Sequence, residues 1–149
     1  MNDLYQCLIT SEAITTAQAI PYITANENGA MCHFVGVVRD HNHGKAVMGI
    51  DYEVCEPLAS TILKQISEEA LQRFPRLKVY IAHFSGYLNV GEISMLVSTS
   101  TPHRDEVYQS NRFIVEAIKQ RCPIWKKEYY VDTSAAWVKG CTIKHEHLA

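Results

Sequence analysis

Short runs of β-branched and aromatic residues recur along this chain of 149 residues, and each run soon ends at a glycine, a proline or a polar turn. Such runs are typical of strands joined by short connections. They predict strands over residues 4–9, 31–38, 47–54, 78–83, 93–99, 125–131 and 136–138. Strands therefore outnumber the predicted helices by about seven to three. This pattern favours an α+β fold with a largely antiparallel sheet.

Three segments place apolar residues at the three- and four-residue spacing of a helix. The first is expected to begin at a cap on Ser11 and to end before Pro21. The second begins at Pro57 and runs to residue 74, and the third runs from 103 to 121. Proline starts a helix readily but interrupts its interior, which explains these limits.

A polar loop over residues 39–45 separates the second and third predicted strands and is closed by Gly44. Its short length predicts that residues 31–38 and 47–54 form an antiparallel hairpin. The loop is long enough to bind a ligand.

The length and composition of the chain limit it to one domain. Its residues are 47% hydrophobic and 20% charged, which excludes a disordered chain and fits a single packed core. We predict one domain over residues 1–149. Within it, residues 139–149 form a polar, weakly patterned tail that is expected to fray or to lie at an interface.

The charges are unevenly placed although their sum is small. The formal net charge of −2 argues against a nucleic-acid-binding surface, which needs a clear excess of Lys and Arg. No Lys or Arg precedes Arg39, whereas residues 112–127 contain five basic residues and one acidic residue. Such a cluster is either a solvated helix face or an anion site.

Cysteine and histidine spacing argues against disulfide and metal sites. The odd number of cysteines and the absence of a C-x-x-C pair predict reduced thiols in a cytoplasmic protein. The close histidine pairs at 41 and 43 and at 145 and 147 have no further ligand nearby, so we predict no metal site. No apolar run approaches the roughly 18 residues that span a bilayer, so we predict no membrane association.

Cationic residues are the strongest candidates for chemistry. The candidates are Arg39, His103, Arg104, Lys119, Lys126 and Lys127. Any one of them alone is better explained by a structural role, as a solvated surface charge for Lys119 or Lys127 and as a capped helix residue for Arg104. Together, and with Trp125 beside the lysine pair, they suit a flat ring that carries a phosphate. A lysine in a partly dry pocket among other cations also loses basicity and can transfer protons near neutral pH.

The predicted third helix limits which of these residues can meet. Arg104 and Lys119 lie on one face of it, but about 22 Å apart along its axis at ~1.5 Å per residue. If both belong to one site, either the substrate is elongated or His103 and Arg104 come from a second copy of the chain.

Several segments follow one another in a characteristic order. They are residues 34–42 with Gly44, Tyr52-Glu53, residues 57–59, residues 86–92, His103-Arg104, Lys119, residues 123–128 and Trp137-Val138. In these segments the sequence resembles the large, catalytic subunit family of molybdopterin synthase over roughly residues 30–138. The most specific segment is Pro-Ile-Trp-Lys-Lys-Glu at 123–128, which follows a helix that carries a lysine.

The resemblance implies an α/β hammerhead-type fold and a homodimer of this subunit. It also implies a small ubiquitin-like sulfur-carrier subunit at each end of the dimer, which makes a heterotetramer. The partner's C-terminal Gly-Gly tail, as a thiocarboxylate, would deliver sulfur to cyclic pyranopterin monophosphate in two transfers that give molybdopterin. The resemblance implies no metal and no other cofactor in this subunit.

The family's functional residues map onto this sequence position by position. The resemblance makes Lys119 and Lys126 the catalytic lysines. The matching substrate contacts are Val37, Val38, Arg39, His103, Arg104, Lys119, Lys126, Lys127 and Glu128.

Two other functions fit the same cations. One is a non-catalytic module that binds a ubiquitin-like Gly-Gly tail through strand pairing and basic residues around its terminal carboxylate. The other is an anion-binding regulator. Loss of turnover in a folded Lys119→Ala variant would separate the enzyme from both.

Overall fold

In the computed structural model, which describes residues 2–132 and 134–139, nine strands and three helices follow one another along the chain. The strands are β1 (Tyr5–Thr10), β2 (Ala30–Val37), β3 (His41–Asn42), β4 (Lys45–Val54), β5 (Lys78–Phe84), β6 (Gly86–Asn89), β7 (Ile93–Thr101), β8 (Ile124–Tyr130) and β9 (Ala135–Lys139). The helices are α1 (Thr16–Ile23), α2 (Glu56–Arg73) and α3 (Arg104–Arg121). The predicted α+β class is confirmed. Apart from Lys139, the predicted polar tail lies outside the described residues.

The first sheet has the strand order β1-β5-β7-β2. β1 runs parallel to β5, and the other pairs are antiparallel. Side chains alternate between the two faces of a strand, so neighbouring residues of β7 contact different helices. The Thr99 hydroxyl donates to the Val107 carbonyl of α3 at 3.4 Å, whereas the hydroxyl of the next residue, Ser100, donates to the Ile23 carbonyl of α1. α1 therefore lies on the face opposite α3.

The second sheet is antiparallel and is built around the long strand β4. One edge of β4 pairs with β8, which in turn pairs with β9. The other edge pairs with β3 and β6. Buried residues from both sheets and from all three helices form one hydrophobic cluster. No helix in the described residues is long and apolar enough to cross a membrane.

The two sheets are connected where β5 passes into β6 through a single residue, Ser85. Gly86 follows with a φ of 129°, a conformation that L side chains rarely adopt. This turn moves the chain from the first sheet to the second within one residue. It places the end of β5 beside β4, because Gly86 pairs with Tyr52.

The predicted hairpin between residues 31–38 and 47–54 is wrong. β2 pairs along its whole length with β7 of the first sheet, and β4 belongs to the second sheet. The only hairpin at the loop is the small one between β3 and the start of β4, among the residues described. A pattern of apolar residues predicts that a strand exists but does not determine its partner, which is chosen by long-range packing.

The predicted limits of the first helix are also wrong. α1 begins at Thr16, after a cap at Thr15 whose N–H donates to the Gln18 side chain at 3.3 Å. Pro21 lies inside the helix rather than ending it. The buried side chains of Ala19 and Ile23 anchor α1 on the first sheet, and this packing outweighs the backbone hydrogen bond that proline removes.

Gly49 of β4 provides a test of how closely β4 and β6 approach each other. A Cβ at this position would lie 2.6 Å from the Leu88 carbonyl oxygen of β6 and would overlap the Tyr87 hydroxyl. We expect Gly49→Ala to lower the free energy of unfolding by about 1–3 kcal/mol, the usual cost of overpacking. Chemical denaturation measures this. Met48→Ala, at an exposed neighbour on the same strand, is the control, and equal stabilities of the two variants would contradict the prediction.

Candidate active site

Two lysines from different elements line one cleft where the two sheets meet. Lys119 comes from the last turn of α3 and Lys126 from β8. We call this the lysine cleft. Its other lining residues are Gly36, Tyr52, His83, Ser94, Met95, Ile118 and Ile124.

Packing of α3 on the first sheet determines where Lys119 lies. Ile114 and Ile118 are buried on the same side of the helix. The Asn111 side chain donates to carbonyl groups of both β2 and β7, at 3.1 Å for Cys32 and 3.0 Å for Val97. These contacts fix the helix across two strands, so its last turn carries Lys119 to the end of the sheet.

The alternation of β8 determines where Lys126 lies. Lys126 pairs in register with the buried Tyr52 of β4, and both side chains reach the cleft. Lys127, one residue further, points to the opposite face. There its ammonium lies over the rings of Tyr129 and Trp137, at 5.5 and 5.6 Å from their centroids. The adjacent lysines therefore do not share one environment.

Both cleft lysines are less basic than ordinary lysines. Burial lowers the pKa of Lys119, the Glu116 carboxylate partly opposes this, and the Arg39 guanidinium lowers the pKa again. Burial likewise lowers the pKa of Lys126, and the Lys119 ammonium lowers it further. The arrangement therefore makes each lysine a better proton donor than it is in water.

Arg39 is a third cation near the cleft, although it is not among the described residues that line it. It follows β2 on an exposed stretch of chain, and its charge lowers the pKa of both Lys119 and Lys126. Its Nη2 donates to the Asn42 side-chain oxygen at 3.5 Å. The structure thus brings together three of the predicted residues, from a loop, a helix and a strand.

His83 forms the buried base of the cleft. Its Nδ1 lies 2.8 Å from the Phe84 carbonyl, so Nδ1 carries the proton and donates it, which leaves Nε2 as an acceptor. Burial lowers the pKa of His83 to about 4; the bond to Phe84 opposes this shift, and the two lysines add to it. The ring is therefore neutral at physiological pH.

Tyr52 connects His83 to the second sheet. Its ring meets the imidazole edge-on, with centroids 5.4 Å apart. Burial raises the pKa of Tyr52, which a hydrogen bond with Ser94 partly offsets, so the hydroxyl stays protonated. Ser94 in turn donates to the Gly36 carbonyl at 3.2 Å. These contacts hold the ends of β2, β5 and β7 against β4.

The predicted substrate contacts Val37 and Val38 differ in exposure. Val37 is half-exposed, whereas the Val38 side chain is buried in the core. The backbone of Val38 is also paired, because its N–H donates to the Glu92 carbonyl and its carbonyl accepts from Gly91. Only Val37 presents a side chain at the surface.

Glu128 is buried on the same face of β8 as Lys126. The Asn42 amide donates to both of its carboxylate oxygens, at 2.9 and 2.8 Å. The Tyr130 hydroxyl donates to the first of them at 2.7 Å. Both oxygens of this carboxylate therefore already accept hydrogen bonds from side chains of the protein.

His103 and Arg104 lie at the far end of α3 from Lys119. His103 caps the helix, Arg104 is its first residue, and both are exposed. Neither is among the described residues that line the lysine cleft. The structure therefore keeps this pair apart from the lysines within one chain, as the helix geometry predicted.

Sequence reasoning missed His83, Tyr52 and Ser94 as parts of the site. One signal was available for His83, because it is the single strongly polar side chain in the otherwise apolar run from Val79 to Phe84. Tyr52 lies in one of the segments that carry the family resemblance, whereas Ser94 carries no comparable signal. In the described part of the chain, no group of three or more His, Cys, Asp or Glu side chains is placed to hold a metal ion.

Comparison with known proteins identifies the family. The family model described as MoaE protein matches residues 9–121. The molybdopterin synthase catalytic subunit of Synechococcus elongatus is 37% identical over 139 residues, which covers 93% of this chain and 84% of that protein. The catalytic subunit of Bacillus subtilis is 37% identical over 124 residues, covering 83% and 79%.

A solved structure shares the fold. The crystal structure of molybdopterin synthase from Staphylococcus aureus superposes with a TM-score of 0.84 at 33% identity, covering 93% of this chain and 98% of that one. This chain is thus similar to these proteins in both sequence and fold along most of its length. The chain belongs to the MoaE family, whose relatives named above are molybdopterin synthase catalytic subunits.

Proposed function

We propose that this chain is the catalytic subunit of a molybdopterin synthase. In this role it transfers sulfur from the C-terminal thiocarboxylate of a small ubiquitin-like subunit to cyclic pyranopterin monophosphate, and two transfers give the dithiolene of molybdopterin. The observation that carries the proposal is the pair of lysines with lowered pKa in one cleft beside Arg39.

The charge of the cleft suits the reactants. A thiocarboxylate and a phosphate are both anions, so a site that binds them together must supply several cations. Lys119, Lys126 and Arg39 supply three, and the neutral His83 adds no repulsion. Binding of anions also favours the charged form of the lysines, which burial alone disfavours.

The lysines supply proton transfer at the reacting groups. Because their pKa is lowered, each ammonium gives up a proton more readily than an exposed lysine. Nε2 of His83 is an acceptor at the base of the same cleft, and it stays unprotonated down to about pH 4. The cleft thus contains proton donors and a neutral hydrogen-bond acceptor.

Partner subunits complete the proposed enzyme. The relatives are named as catalytic subunits, which implies at least one further subunit in those proteins. We take that subunit to be the ubiquitin-like sulfur carrier, whose Gly-Gly tail enters the lysine cleft. His103 and Arg104 then reach the substrate of a second copy of this chain, in a homodimer that carries two sulfur-carrier subunits.

The direct test is reconstitution. Purified protein is mixed with a thiocarboxylated sulfur-carrier subunit and cyclic pyranopterin monophosphate, and molybdopterin is measured as its fluorescent oxidation product. A single transfer of sulfur or none would contradict the proposal. Binding of the carrier tail without any conversion would instead favour a tail-binding module.

Substitution of either cleft lysine should abolish turnover without unfolding the chain. We expect Lys119→Ala and Lys126→Ala each to lower the rate of molybdopterin formation by about 10²–10⁴-fold, the range for loss of an acid–base group. Lys64→Ala, at an exposed position of α2, is the control and should keep the wild-type rate. Circular dichroism checks the fold. Full turnover in either cleft variant would show that the substituted lysine is not catalytic.

The lowered pKa of the cleft lysines can be measured without any substrate. Acetic anhydride acetylates only the neutral amine, so peptide-resolved mass spectrometry over a pH series yields the pKa of each lysine. Because a lowered pKa means earlier loss of the proton as pH rises, Lys119 and Lys126 should reach half-maximal reactivity at lower pH than lysine in an unstructured model peptide. Midpoints equal to that of the model peptide would contradict the lowered pKa.

A further inference from the structure

The carboxylate of Glu128 is fully engaged inside the protein. It accepts two hydrogen bonds from Asn42, at 2.9 and 2.8 Å, and one from Tyr130 at 2.7 Å. Only 3% of the residue is exposed. A substrate group would have to displace one of these donors to reach it, and an anionic substrate would be repelled by it. Glu128 is thus poorly placed for the role of a substrate contact that the family pattern assigns to it.

Tyr130 secures this carboxylate from within the same strand. Burial and the hydrogen bond to Glu128 raise the pKa of Tyr130 to about 12, so its hydroxyl remains a donor throughout the physiological range. The Lys45 ammonium lies 4.8 Å from the centre of the Tyr130 ring. Lys45 belongs to the start of β4, next to the turn that begins at Asn42. The small hairpin is therefore attached to β8 at two points.

Asn42 connects the carboxylate to the lysine cleft. Its amide nitrogen donates to Glu128, and its amide oxygen accepts from Arg39 Nη2 at 3.5 Å. An amide between an anion and a cation satisfies both in only one orientation, with nitrogen toward the carboxylate and oxygen toward the guanidinium. Glu128 therefore fixes the orientation in which Asn42 can hold Arg39.

The backbone between these residues is tightly folded. The Val47 N–H donates to the Asp40 carbonyl at 2.8 Å, and His43 and Gly44 both have positive φ in the turn. A short hairpin of this kind moves as a unit, so a bond at Asn42 restrains Arg39, three residues away. Without that bond, Arg39 lies on an exposed stretch with no other side-chain hydrogen bond among those found in the described residues.

We propose that Glu128 is a positioning residue, which holds Asn42 and through it directs Arg39 toward the lysine cleft, with Tyr130 as its second support. Glu128, Asn42 and Tyr130 are called the carboxylate clamp below. The role of the clamp in sulfur transfer rests on the proposed function, whereas its effect on Arg39 does not.

A double-mutant cycle tests whether Asn42 acts through Arg39. In the reconstituted reaction we expect Asn42→Ala to lower kcat/KM by about tenfold, and Arg39→Ala to lower it by at least as much. In the Arg39→Ala background, Asn42→Ala should have no further effect. His41→Ala, at an exposed residue of the same hairpin, is the matched control and should behave as wild type. Additive losses would overturn the proposal.

The same double-mutant cycle can be measured by lysine acetylation, which needs neither substrate nor partner subunit. Arg39 lowers the pKa of both cleft lysines, so Arg39→Ala should move their acetylation midpoints to higher pH. Asn42→Ala should move them in the same direction, and the double variant should match Arg39→Ala alone. Unchanged midpoints in Asn42→Ala would overturn the clamp. An inactive reconstitution combined with the expected midpoints would refute the proposed function and leave the clamp supported.

Two further variants keep the test decisive if Asn42→Ala fails to fold. Tyr130→Phe removes one donor to Glu128 and keeps Asn42, and Glu128→Gln keeps the volume of the side chain but loses its charge. Thermal unfolding by circular dichroism establishes that each is folded. Both should reduce kcat/KM in the wild-type background and leave it unchanged beside Arg39→Ala. A reduction of equal size in both backgrounds would show a merely structural role and overturn the proposal.

Discussion

The edge-on contact between Tyr52 and His83, 5.4 Å between ring centroids, joins the two sheets at the point where the site is built. Because β5 passes into β6 through Ser85 alone, the end of the first sheet cannot separate from the second. The same junction brings β8 alongside β4, and with it Lys126. Tyr52 and His83 both line the lysine cleft, so this contact forms part of its wall.

Charge in the cleft is organised around a buried neutral group. Bringing ammonium groups into a partly dry cleft is costly, and burial therefore lowers the pKa of both Lys119 and Lys126. A charged histidine below the two lysines would add repulsion and raise the cost of burying them, but burial keeps His83 neutral. The anions that the proposed reaction brings to the cleft relieve the repulsion among the cations. The site is thus prepared for anionic ligands by the same desolvation that makes its lysines reactive.

Two devices hold the cations in place from opposite sides. On the first sheet, the Asn111 amide fixes α3 across β2 and β7 and so determines the position of Lys119. On the second sheet, we propose that the carboxylate clamp fixes the hairpin that carries Arg39. In both devices an asparagine amide connects separate segments of chain. Neither requires the asparagine to contact substrate.

The sequence by itself determined most of the helices and strands and predicted which residues carry the chemistry. Apolar spacing predicted α2, α3 and most strands, because those patterns are local and prolines mark their ends. The family motif predicted Arg39, Lys119 and Lys126, which the structure brings together, and the rise of the helix predicted that Arg104 lies far from Lys119 within one chain. The single domain and the individual roles of the site residues stay predictions.

Only the tertiary structure decided which strands pair and what surrounds each charge. The pairing of β2 with β7 instead of β4, and the continuation of α1 through Pro21, depend on packing against residues distant in sequence. For the same reason no local pattern could reveal that Tyr52 and His83 meet beside Lys126, or that the Asn42 amide donates to Glu128, 86 positions away in the sequence. Sequence order determines what a segment can form, whereas burial and hydrogen-bond partners are properties of the folded chain, because they depend on segments that only folding brings together.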